Sequence, residues 1–274
     1  MTHDDDPPSG PEHDRFLDEM NDALTGWRDP AQRLRDALVG DELQLYIQPI
    51  ARLGDKKLVM AEVLVRLREE ETKMLPPGEF LPVFEQYGMM PDLDRWVVSK
   101  LVQRVARQAP GGFRLFSINV AGKTLLDSYF PEHVAQALRR FGVPAQALCF
   151  EIDEIDVLGR LDAAVQFGAA VRRLGCQVAI DGFGRRSASF APLKRLRVDY
   201  IKVDGSITRN ILSSEIALNK LRAIVRVAQT IKVGVIAEFV EETGVLVRLY
   251  TLGVDYAQGF GIARPTPIDE SRAE

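Results

Sequence analysis

This sequence predicts an α/β barrel, and three observations carry the prediction. Apolar runs of strand length alternate with amphipathic segments of helix length, the pattern of a mostly parallel sheet with crossover helices. The strand-helix unit recurs at roughly 25–35 residues with short connections. No Gly-x-Gly-x-x-Gly follows the first strand, which disfavours an open dinucleotide-binding sheet and leaves a closed one.

The elements follow in order. Residues 1–13 carry almost no apolar side chains and are expected to form a disordered acidic tail. Over 14–28, Phe16, Met20 and Leu24 fall four apart, with Leu17 and Trp27 nearby, giving one face of a short N-terminal amphipathic helix. That face either packs on its own domain or meets a partner or a second copy. Asp29-Pro30 supplies a cap and a first-turn proline for a helix that Gly40 stops. Leu43–Ile50 reads as a strand ending in Gln48-Pro49-Ile50. Gly54-Asp55 turns the chain into a second strand, Leu58–Leu67, antiparallel to the first. Further strands are predicted at 114–120, 147–152, 176–181, 199–204, 233–238 and 254–257. Helices are predicted at 77–87, 92–108, 122–140, 157–174, 188–196, 215–231 and 242–252. The barrel is expected over 29–268, with a tail at 269–274.

A parallel barrel gathers the carboxyl ends of its strands around one mouth. The polar residues nearest those ends are Glu62 and Arg66, Asn119, Glu151 with Glu154 a step beyond, Asp181, Lys202, Glu238 and Gln258. Carboxylates brought this close repel one another or take up protons. Oxygen donors without histidine are the set that Mg²⁺ or Mn²⁺ selects. Singly, Asp181 could cap the next helix and Lys202 could snorkel. Arriving one per strand-helix unit, they point to a site.

Composition removes other classes. The chain has 274 residues and a net charge of −4, which argues against DNA or RNA binding through phosphates. Its two cysteines, Cys149 and Cys176, sit inside apolar runs and read as buried thiols of a reducing compartment. His3, His13 and His133 have no ligand spacing, so a His/Cys zinc site is not expected. No apolar run has the length of a membrane span, and the polar N-terminus is no signal peptide. A soluble cytoplasmic protein is expected.

The motifs taken together resemble the EAL domain family, the cyclic di-GMP phosphodiesterase fold. Glu62-Val63-Leu64, continuing Val65-Arg66, stands for the motif that names the family. Gln48-Pro49-Ile50, Phe116–Val120, Phe150–Glu154, Asp181–Gly184, Ile201–Asp204, Ala237–Glu241 and Gln258-Gly259-Phe260 follow in family order. The resemblance covers about residues 30–268 and implies a TIM-like (β/α)8 barrel with an antiparallel first strand. It implies two divalent ions that activate water for attack on one phosphodiester bond of cyclic di-GMP, giving linear pGpG. By the same resemblance Glu62, Asn119, Glu151 and Asp181 match metal ligands, and Lys202 and Glu238 match catalytic positions. Glu154 matches an anchor for the loop after 176–181. Gln48, Leu64, Arg66, Gln258, Phe239, Phe260 and Pro265 match ligand contacts, the last three as surfaces for guanine or as rim packing. Dimers are common in such a family.

One departure matters. Active members carry two successive acids where this chain has Asp181-Gly182, and a small glycine-containing turn where it has Arg185-Arg186-Ser187-Ala188-Ser189. Glycine offers no side-chain ligand, so the second ion loses a carboxylate. The arginines either turn toward the phosphates or stand in solvent. The expectation is a cyclic di-GMP receptor with little or no hydrolysis. A working phosphodiesterase and a scaffold without nucleotide binding are the alternatives.

Overall fold

The computed structural model describes residues 27, 29–40, 42–68, 74–107, 112–186 and 189–269. The expected acidic tail, Ser187 and Ala188 lie outside these residues, as does the expected N-terminal helix apart from Trp27. The chain divides into two compact units, residues up to 44 with 66–89, and residues 45–65 with 90 onward.

The smaller unit is built on α1 (Pro30–Val39), the outer ends of β1 (Leu43–Arg52) and β2 (Leu58–Arg68), β3 (Met74–Leu75) and α2 (Pro77–Gln86). Asp29 caps α1 by accepting from Gln32 N at 2.9 Å, and Pro30 fills the first turn, where no N–H is required. Leu34 and Ala37 on α1 and Phe80, Val83 and Phe84 on α2 are buried, and the two helices pack together. β3 adds to the end of β2 in antiparallel register, Leu67 opposite Leu75.

The larger unit is a closed barrel. Its outer elements are α3 (Met90–Arg107), α4 (Phe130–Phe141), α5 (Glu154–Gly159), α6 (Leu161–Leu174), α7 (Gly205–Thr208), α8 (Glu215–Ile231) and α9 (Thr243–Thr251). Its remaining strands are β4 (Leu115–Val120), β5 (Leu148–Asp153), β6 (Gln177–Phe183), β7 (Tyr200–Val203), β8 (Gly234–Ala237), β9 (Tyr256–Ala257) and β10 (Thr266–Pro267). The order β1-β9-β8-β7-β6-β5-β4-β2 closes through a β1–β2 pairing. Every pair from β2 round to β9 is parallel, while β1 runs antiparallel to β9 and to the short β10. The antiparallel first strand expected from the turn at Gly54 is present.

Strand alternation sorts the side chains. Inward residues form an apolar layer of Ile50, Met60, Leu115, Cys149, Ala179 and Ile236, with Tyr200 and Tyr256 against it. Outward residues meet the helices. Phe150 on β5, Phe130 on α4 and Phe167 on α6 form a triangle with centroids 5.8–5.9 Å apart.

The helices expected over 122–140 are a 3₁₀ turn, Thr124–Leu126, and α4, with residues 127–129 between them. Two helix predictions change. The helix predicted from 157 starts at Glu154, because Asp153 accepts from Ile155 N at 2.7 Å and caps it there, and it breaks at Arg160. Over 188–196 the described residues hold only the 3₁₀ turn Pro192–Lys194. β3, β10 and α7 are too short to leave a periodic signal.

Candidate functional site

The site lies one pleat above the apolar layer, and the sheet's two-residue period puts it there. Met60 leads to Glu62, Cys149 to Glu151, Ala179 to Asp181, Tyr200 to Lys202, Ile236 to Glu238 and Tyr256 to Gln258. β1 runs the other way, so Gln48 lies two residues before Ile50 rather than after it. On β4 the same step from Leu115 gives Ser117, and a second gives the exposed Asn119. Ser117 is a polar residue of this layer absent from the sequence-based set. It stands beside Glu62 in register, and its buried hydroxyl has no hydrogen-bond partner. Period-two counting from Asn119 was the signal that could have found it.

Lys202 is the centre. Its side chain is 0% exposed. Nζ donates to Glu151 Oε2 at 2.7 Å and Glu62 Oε2 at 3.0 Å. Glu238 Oε1 and Asp181 Oδ1 lie 3.3 and 3.4 Å from it. Glu62 also accepts from Asn119 Nδ2 at 2.7 Å and from Gln258 Nε2 at 2.6 Å. Gln258 Nε2 donates as well to Gln48 Oε1 at 3.0 Å, and Gln48 Nε2 to the Ala263 carbonyl at 3.1 Å. Sequence reasoning named the side chains of this relay but neither their wiring nor the Ala263 carbonyl that ends it.

One ammonium among four acids cannot neutralise them all. Burial pushes the Glu62 carboxyl up, but the Lys202 charge and bonds from Gln258, Asn119 and Lys202 outweigh it, leaving it below the ordinary range. Burial, with repulsion from Glu62 and Asp181, raises Glu151 to about 8 against the pull of Lys202. Glu238 is raised well above the ordinary carboxylate range, first by burial and then by Asp181, Glu62 and Glu151. Burial opposes charge on Lys202, yet the surrounding acids hold it protonated far above its usual value. Burial and mutual repulsion thus favour the neutral forms of Glu151 and Glu238, while Lys202 supplies one positive charge among the four acids.

The remaining candidates fall into place around this centre or apart from it. Leu64 is half-buried one pleat beyond Glu62, and Arg66 is half-buried in the smaller unit. Glu154 Oε1 accepts from Gly184 N at 3.0 Å, tying the start of α5 to the loop after β6. Phe239, Phe260 and Pro265 occupy segments that follow β8 and β9. Phe239 and Phe260 are about half exposed, and each ring carries a guanidinium on one face, Arg209 at 4.7 Å and Arg264 at 4.5 Å. Neither arginine belongs to the sequence-based set. Phe239 has φ +54, and a Cβ on Gly205 would collide with its ring, so that glycine leaves room for the phenylalanine.

Arg185 does not reach into the acid cluster; its side chain is 43% exposed yet paired with two acids. Its Nε donates to Asp204 Oδ2 at 2.9 Å and its Nη1 to Asp153 Oδ2 at 3.0 Å. Those two aspartates cap α7 and α5 with their other oxygens. Its guanidinium therefore spans the ends of β5 and β7, on either side of the strand that leads to it. It also covers Gly182, where an added Cβ would lie 2.5 Å from Nη2.

The donor set fits a hard divalent ion. Glu62, Asn119, Glu151 and Asp181 offer oxygen, and Glu151 Oε1 and Asp181 Oδ1 are buried without hydrogen-bond partners. Among the described residues no three His, Cys, Asp or Glu side chains form a ready-made cage, with Lys202 Nζ standing between the carboxylates. No helix among the described residues is long and apolar enough to cross a membrane.

Comparison with known proteins agrees with this geometry. The chain is 34% identical over 244 residues to cyclic di-GMP phosphodiesterase PdeF of Escherichia coli, covering 88% of this chain and 32% of that protein. It is 32% identical over 258 residues to cyclic di-GMP phosphodiesterase PdeB of Shewanella oneidensis, covering 92% and 30%. The chain thus spans about a third of the length of these curated relatives. The Xanthomonas citri FimX EAL domain, solved in complex with cyclic di-GMP, superposes with a TM-score of 0.82 at 28% identity over 92% of this chain and 97% of that one. The Pseudomonas aeruginosa FimX EAL domain, bound to cyclic di-GMP, gives 0.81 at 28% identity over 87% and 96%. The family profile described as EAL domain matches residues 31–265. With the profile running through nearly all of the barrel and every strand-end acid, this chain belongs to the EAL domain family.

Proposed function

We propose that this chain binds cyclic di-GMP at the carboxyl-end mouth of the barrel and hydrolyses it slowly or not at all, acting as a receptor. The observation that carries this reading is position 182. It has no side chain, and Arg185 covers the space one would need. A bound Mg²⁺ or Mn²⁺ held by Glu62, Asn119, Glu151 and Asp181 would supply positive charge to a phosphodiester. A second ion has no acid at 182 to hold it.

The chain's own groups support binding. Lys202 holds its proton at Nζ and fixes the carboxylate oxygens of Glu62 and Glu151. Gln48 and Gln258 orient each other beside Glu62, and Phe239 and Phe260 offer exposed ring surface for a base. Loss of several kcal/mol of transition-state charge stabilisation corresponds to a rate loss of roughly 10²–10³.

Calorimetric titration with cyclic di-GMP, followed by product analysis in Mg²⁺ or Mn²⁺, tests the reading. Saturable binding with negligible pGpG is expected. Rapid metal-dependent conversion would favour the phosphodiesterase reading, for which the complete Lys202 cluster speaks. Absence of binding would favour a scaffold. We assign the chain to the cytoplasm on its buried free thiols, and a homodimer remains the partner to test by sedimentation.

A further inference from the structure

We propose that Arg185 is a positioning residue that locks out the second ion, so that Gly182 and Arg185 form one coupled unit. This deepens the receptor reading and rests on it. The guanidinium fills the place of a side chain at 182, and it is anchored there by two acids on neighbouring strand ends.

The two arrangements exclude each other. Gly182 has φ +62, a left-handed conformation that aspartate and asparagine tolerate better than most residues. An aspartate at 182 is strained by this backbone, though less than most residues would be, and its Cβ would lie 2.5 Å from Nη2, the movable end of the Arg185 side chain. To admit it, Arg185 must give up Asp153, Asp204 or both. Once released, those acids would each retain only the helix they cap. If Arg185 instead stays, its guanidinium pairs with the new carboxylate and withholds it from an ion.

Arg185 also fixes the loop. The loop backbone is held from below by Glu154 through Gly184 N. Arg185 holds it from above through the caps of α5 and α7. Gly184 and Arg185 are thus each tied to a neighbouring strand end by protein groups.

A double-mutant cycle tests the coupling. Wild type, Gly182→Asp, Arg185→Thr and the double variant are titrated with Mn²⁺ alone and read by electron paramagnetic resonance. Wild type and each single variant are expected to hold one tightly bound ion. The double variant is expected to gain a second ion, bound at least roughly tenfold tighter than in Gly182→Asp, a coupling of about 1.4 kcal/mol. Hydrogen exchange at Gly184 should rise in Arg185→Thr and recover with Arg185→Lys plus Mn²⁺ left out, because a lysine can still reach one of the two acids. A second ion in Gly182→Asp as tight as in the double variant would overturn the proposal, as would unchanged Gly184 exchange in Arg185→Thr. These readouts use no nucleotide, so failure of the receptor reading would show separately, in the wild-type turnover assay.

Discussion

Two cations in this barrel are surrounded by acids, and they do opposite things. Lys202 is fully buried and faces four carboxylates, while the Arg185 side chain is 43% exposed and faces two. The buried lysine is outnumbered, and burial with mutual repulsion raises Glu151 and Glu238 above the ordinary carboxylate range. The arginine donates to one oxygen on each of two capping aspartates, which ties a loop to two strand ends. Position in the sheet explains the difference. Lys202 points along the barrel interior from the middle of β7, where water is scarce, whereas Arg185 lies just past the end of β6, within reach of solvent.

Removing each cation is the most direct way to break that comparison. Lys202→Met should cost about 3–5 kcal/mol, because it strands ionised acids in the interior. Urea unfolding measures it, and a loss under about 1 kcal/mol would show that protons alone can balance the cluster. Asp94 gives the intermediate case, a buried acid without a lysine. It accepts from Thr124 Oγ1 at 2.6 Å and Ala121 N at 3.0 Å, and burial raises it to about 6. Since its folded value lies above the unfolded one, its contribution to stability is present below about pH 4 and fades as pH rises through 6. Asp94→Asn should therefore gain on wild type by about 2 kcal/mol between pH 4 and pH 7, seen in paired melts. Parallel pH profiles would mean that Asp94 is not titrating in this range. Arg185→Ala is expected to lose no more than about 1 kcal/mol in the same melts, since solvent screens its pairs. A loss as large as that of Lys202→Met would erase the distinction between the two cations.

The barrel and its acid ring were legible because one arithmetic governs both. Residues two apart on a strand share a face, so an apolar layer and the acids above it appear as Ala179 then Asp181, or Ile236 then Glu238. Closure and the reversed first strand followed from the repeat and the turn at Gly54. What stayed hidden depends on neighbours that are distant in sequence. Nothing local to Arg185 says that Asp153 and Asp204 flank it, because that requires β5, β6 and β7 to be adjacent at a known register. Arg209 over Phe239 and Arg264 over Phe260 are hidden for a related reason, each pair being set by loop conformation rather than period. The early start of α5 was readable from Asp153 as a cap and was missed because the strand pattern ran into it.

The amides that link Glu62 to Ala263 can point in one sense only. Gln258 spends its nitrogen on a carboxylate and on Gln48, and Gln48 spends its own on a main-chain oxygen, so turning either side chain over would set oxygen against oxygen. The segment from Phe260 to Pro265 is thereby keyed like a ratchet tooth to the barrel axis. Moving that segment would therefore disturb a chain of amide bonds that ends on Glu62.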